Sequence, residues 1–86
     1  MRRSLKEEKF DKVVKMCSDE MYRASFYYLR DKKKACKVVI DVFVAFYSQE
    51  SWFEDLTFEE MEEKKNYDHM RARLYYLVKK EVRKYM

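Results

Sequence analysis

The sequence predicts an all-α fold, a compact bundle of four helices, three long and one short. Two observations lead there. The 86 residues include no Gly and no Pro, the residues that supply the special backbone angles of tight turns, so hairpins are disfavoured. Apolar residues also recur every three or four positions along three separate stretches, which is the mark of a helix with one face turned inward. Composition agrees: 42% charged beside 48% hydrophobic residues suits amphipathic helices. An aromatic share of 17% offers enough apolar area to argue against a disordered chain. A chain of this length makes one domain, residues 1–86, around a small core.

The first helix is expected near residues 7–30, where Phe10, Val14, Cys17, Met21, Ala24 and Tyr28 share one side. Tyr22 and Phe26 lie away from that stripe, four residues apart, and stack on one surface. The second helix is expected near 32–47. Asp31 is its N-cap, because a carboxylate there accepts from the unpaired N–H groups of the next turn. Ala35, Val38, Val39, Val42, Phe43 and Phe46 make its apolar stripe. Lys37, Ile40, Asp41 and Val44 fall on the opposite side and are expected at the surface, open to a partner. Thr57 and Glu60 have the spacing of a capping box, which starts a short helix near 58–65. Trp52 and Phe53, in the connection before it, close the bottom of the core.

The last helix is expected near 69–85, capped by Asp68. Met70, Leu74, Leu77, Val78 and Tyr85 lie on one side, and Glu81 among them is read as half of a pairing near the helix end. Arg73, Tyr76, Lys79, Lys80 and Arg83 gather on the other. Residues 70–86 carry six basic groups and one acidic, whereas residues 48–69 carry two basic and eight acidic. The net charge of +4 therefore hides an acidic middle and a basic end. A stripe of Lys and Arg matches phosphates, since release of condensed counterions drives such binding. Tyrosine beside it can stack on an unpaired base. The competing account is that the acidic segment 54–63 folds against this helix and neutralises it.

Other chemistries find little footing. Cys17, Cys36 and His69 are too few and too scattered for a zinc site or a disulfide framework, so both cysteines are read as reduced thiols. No metal site, cofactor or catalytic constellation is expected: there is no glycine-rich phosphate loop and no carboxylate pair beside a His cluster. With neither a leader-like segment nor an apolar run of 18 residues, the chain is expected in the cytoplasm and not at a membrane.

MYRASFYYLRDKKKACKVVIDVFVAFY, residues 21–47, resembles region 2 of bacterial RNA polymerase sigma factors, most closely the extracytoplasmic-function type. In that family the first helix ends in an aromatic-Leu-Gly-Asp turn, where Arg30 stands at the glycine. The second helix has the form Ala-Glu-Asp-Leu-Val-Gln-Glu-Val-Phe, which is similar to the run from Ala35 to Phe43. MRARLYYLVKKEVRKYM, residues 70–86, resembles the family's Leu-Arg-Ala-Trp-Leu-Tyr-Arg-Ile-Ala-Arg-Asn helix at Arg71, Ala72, Leu74 and Tyr75, with Lys79 at a basic position. The likeness covers about three quarters of the chain, in order.

The resemblance implies a transcription-initiation domain. Its second helix would dock on the β′ clamp coiled coil of core RNA polymerase through Lys37, Ile40, Asp41 and Val44. Arg71, Arg73, Tyr75, Tyr76, Lys79, Lys80 and Arg83 would hold the melted, single-stranded minus-ten strand of promoter DNA. A regulatory protein is a further candidate partner. The family's second domain, a helix-turn-helix, is not expected within these residues. The alternative is a helical protein–protein interaction module, or a degenerate regulator of the same shape, that does not melt promoters.

Overall fold

Side-chain caps mark where the first three helices begin. The computed structural model describes residues 4–86, and among them there is no strand. Helix α1 runs Leu5–Leu29, and the Ser4 side chain accepts from the Glu7 amide at its start. Helix α2 runs Lys32–Gln49 behind Asp31, whose carboxylate takes the Lys34 amide at 3.0 Å. Helix α3 is a single turn, Phe58–Met61, entered through a complete capping box: the Glu60 amide donates to Thr57 Oγ1 and the Thr57 amide to Glu60 Oε1. Helix α4 runs Lys64–Val82 and tightens into a 3-10 turn at Arg83–Tyr85.

The long helices α1 and α2 fall within two residues of expectation, and two boundaries farther along differ by more. The short helix stops at Met61 rather than near 65, and α4 begins at Lys64 rather than 69. Asp68 is therefore inside α4, where it caps nothing and instead faces Arg71 Nη1 at 3.7 Å. The corner between α3 and α4 is set by packing: Met61 is fully buried, and the Asn66 side-chain amide donates to the Glu60 carbonyl at 2.8 Å.

The α1–α2 connection is only Arg30 and Asp31, so the two helices pack as neighbours. Arg30 makes the turn with φ 54°, in the left-handed region that glycine usually occupies after a helix, and its amide donates to the Phe26 carbonyl. A side chain there opposes the turn sterically. Arg30→Gly is expected to raise stability by about 0.5–1 kcal/mol, read as a higher urea midpoint with an unchanged m-value. A lower midpoint would show that the arginine side chain, which lies over the Tyr27 ring, contributes more than the turn strain.

The three long helices each pack against the other two around one core. Its fully buried members include Val13, Cys17 and Met21 from α1, Val38, Val42 and Phe46 from α2, and Met70, Leu74 and Val78 from α4. Phe53 stacks on Phe46 with ring centroids 5.3 Å apart, and Trp52 meets the same ring edge-on, so the two aromatics of the connection do close the core's end. On α1 the buried line is Lys9, Val13, Cys17, Met21 and Ser25, one residue off the expected stripe at both ends. Tyr28 consequently sits 40% exposed rather than in the core. Tyr22 and Phe26 stack with nearly parallel rings, half-buried.

Cys17 is buried, and that burial, with Glu20 adding its charge, pushes its thiol up to about 11; Cys36 is exposed. A thiolate-directed alkylating reagent is therefore expected to label one cysteine, Cys36, in the native protein and both after denaturation. Labelling of both in native buffer would contradict this packing.

Candidate nucleic-acid interface

Helix α4 presents two chemically different sides beside its buried stripe. One side faces α1. Arg71 grips Glu20 there, with Nη2 at 2.7 Å and Nε at 2.8 Å from Oε2. The Tyr75 hydroxyl donates to the same oxygen, and the Tyr67 hydroxyl reaches Oε1 at 3.5 Å. Burial alone would raise the Glu20 carboxyl, but the hydrogen bonds from Arg71 and Tyr75 outweigh it and hold it below the usual range. Arg71 is pushed up by the same hydrogen bonds. Glu20 carries a depressed pKa in the folded state, so this cluster stabilises fully above about pH 4.5, the ordinary value, and the stabilisation fades as pH falls through the folded value. Glu20→Gln is expected to lower stability at pH 7 by about 1–2 kcal/mol and to make the acid decline of the melting temperature shallower. An equally steep decline in the variant would place the acid sensitivity elsewhere.

The other side is open. Tyr76, Lys79, Lys80 and Arg83 line one shallow hollow of about 250 Å³, with Tyr76 54% exposed. The Arg73 guanidinium lies over the Tyr76 ring at 5.2 Å, while its Nε donates to Glu50 Oε1 at 2.6 Å. Among the described residues, no carboxylate stands within ion-pair distance of Lys79, Lys80 or Arg83. Within segment 54–63, Glu54 and Glu62 turn to α1 instead. Lys6 meets Glu54 at 3.7 Å, Lys12 meets Glu62 at 3.1 Å, and the buried Lys9 ammonium donates to the Glu54 carbonyl at 2.6 Å. The account in which segment 54–63 neutralises the last helix does not describe this arrangement.

Thus the seven residues expected on one surface divide into three groups. Arg71 and Tyr75 form a cluster with α1, Arg73 bridges to the end of α2, and Tyr76, Lys79, Lys80 and Arg83 stay together, the three cations without carboxylate partners among the described residues. Sequence reasoning missed Tyr28, assigned to the core stripe. It lines a second hollow with Lys79, Val82, Arg83 and Met86. The available signal was its place in the last turn of α1, just before the break at Arg30 and Asp31.

On α2, Lys37, Ile40 and Val44 are exposed as expected, Ile40 by 62% and Val44 by 59%. Asp41 is not free. It is half-buried and accepts from the Tyr85 hydroxyl at 3.0 Å, because the final 3-10 turn brings Tyr85 back across α2. Its removal therefore costs a tertiary hydrogen bond, contrary to the expectation of an available surface group. Glu81, buried on the core side, faces Lys84 at 2.8 Å, the helix-end pairing expected for it.

Among the described residues, no group of three His, Cys, Asp or Glu side chains is placed to hold a metal ion, and no helix is long and apolar enough to cross a membrane. No family model, curated protein or solved structure matches this chain.

Proposed function

We propose that the chain is a sigma-factor-like transcription-initiation module that binds an unpaired strand of promoter DNA along the open side of α4 and docks on core RNA polymerase through α2. The observation that carries the reading is the cluster of Lys79, Lys80 and Arg83, left without carboxylate partners beside the exposed Tyr76 while Lys6 and Lys12 on α1 and Arg71 and Arg73 on α4 are engaged. Holding an unpaired strand needs cations for phosphates and rings for bases, and this side supplies both. Docking would rest on Lys37, Ile40 and Val44, with Asp41 supporting from its bond to Tyr85.

The test is titration of a labelled promoter single strand at low salt, against the same strand in duplex, with and without core polymerase. Binding with a preference for the single strand, strengthened by polymerase, is the expected result. No binding at micromolar concentrations in either condition would end the nucleic-acid reading.

A second reading is favoured by one observation. Ile40 and Val44 lie one turn apart and exposed, and Val44 continues into a hollow lined by Phe10, Tyr47 and Ser48 with Glu7 at its side. Such an edge suits a helical interaction module that has kept the shape without promoter melting. Capture of core polymerase by the chain with no DNA affinity at all would select it.

A further inference from the structure

We propose that the bound strand passes over two adjacent hollows, not one, so that two bases are stacked on two different helices and the backbone between them is held by Lys79 and Arg83. The inference rests on the single-strand reading above and extends its surface from α4 onto the end of α1. The first hollow, of about 250 Å³, is walled by Tyr76 and Lys80. The second, of about 240 Å³, is walled by Tyr28 and the exposed Met86 over the buried Val82. Lys79 and Arg83 line both. They stand one helical turn apart, roughly 6 Å along the axis from the helical rise. The cations thus sit between two aromatic walls, the order that a base–phosphate–base step requires. Neither hollow has an acidic lining residue.

Each ring is braced. Arg73 lies over Tyr76 at 5.2 Å, and Tyr27 meets Tyr28 edge-on with centroids 5.6 Å apart while Arg30 covers Tyr27 at 5.4 Å. Both rings still keep a large exposed area, Tyr76 54% and Tyr28 40%. A ring held by its neighbours loses little freedom when a base stacks on it, which favours binding. The left-handed turn at Arg30 follows Tyr28 within two residues and ends α1 beside the last turns of α4.

The experiment compares two fluorescein-labelled probes of equal charge, a twelve-residue oligothymidylate and a twelve-residue abasic strand. Anisotropy is read for the full chain and for Tyr28→Leu, Tyr28→Phe, Tyr76→Leu and the double Leu variant. Leucine keeps apolar cover over the hollow, and thermal melting of each variant verifies folding. The wild type is expected to prefer thymidylate over the abasic strand by more than tenfold. Each Leu variant should lose about tenfold on thymidylate and little on the abasic strand, the double variant should lose the preference, and Tyr28→Phe should bind as wild type. Thymidylate binding unchanged in Tyr28→Leu but weakened in Tyr76→Leu would overturn the second hollow and leave the proposed function standing. A Tyr28→Phe variant that loses affinity would overturn stacking as the role of Tyr28. Failure of the wild type to bind either probe would remove both readings together.

Discussion

Val42→Asp is expected to abolish cooperative unfolding at neutral pH, leaving a chain without a native melting transition. Val42 is fully buried on α2, in a cluster whose members come from all three long helices. The cluster is apolar, so a carboxylate placed there finds no cation and no N–H donor already committed to it. Burying an ionised carboxylate without a partner costs several kcal/mol even after relaxation. A domain of this size has about 5–10 kcal/mol of stability in total, so one such group removes most or all of it. The lost valine packing adds to the loss. The control is the same substitution two residues on. Val44 is 59% exposed, and Val44→Asp is expected to change stability by less than about 0.5 kcal/mol. The pair tests the helix register directly, because a rotation of α2 by about a quarter of a turn would make the two effects equal. Circular dichroism melts of both variants decide it; equal destabilisation would refute the packing of α2.

What could be read from the sequence is what is local. Asp31 and Thr57 cap helices through bonds to residues three positions on, and those bonds are present. The α2 stripe from Ala35 to Phe46 was legible because α2 meets helices along one broad side and its outer side, at Lys37, Ile40 and Val44, is exposed. Helix α1 was harder. It packs against both α2 and α4, so its buried line sits between two apolar rows, and Tyr28 turned outward as a result. The pairings that divide the basic helix were not legible at all. Glu20 and Arg71 are 51 residues apart, Asp41 and Tyr85 are 44 apart, and no periodicity links them. On a wheel Arg71 and Arg73 are simply cations off the apolar stripe. Only the tertiary fold shows that each has a carboxylate waiting and that Lys79, Lys80 and Arg83 do not.

That division makes the last prediction, a separation of two effects that a uniform basic surface would not produce. Replacing Lys79, Lys80 and Arg83 together by Ala is expected to flatten the dependence of single-strand affinity on salt by about two logarithmic units. Each phosphate contact on a single strand contributes roughly 0.7 to that slope. Affinity at low salt should fall at least tenfold, while the melting temperature stays near wild type, because none of the three has an ion-pair partner among the described residues to lose. Arg71→Ala should do the reverse. It strips the guanidinium from Glu20 and leaves that half-buried carboxylate with only tyrosine hydroxyls, so the melting temperature at neutral pH should fall. Its salt slope should stay within a few tenths of wild type. Part of the acid sensitivity should also go, since Glu20 would return toward the ordinary carboxylate range once its strongest donor is removed. The measurements are anisotropy titrations on one labelled single strand across a salt series, and thermal melts at neutral and acid pH. If Arg71→Ala flattened the slope as much as the triple variant, the cation bound to Glu20 would be a phosphate ligand after all. If the triple variant left the slope untouched, the open side of α4 would not be where the strand lies.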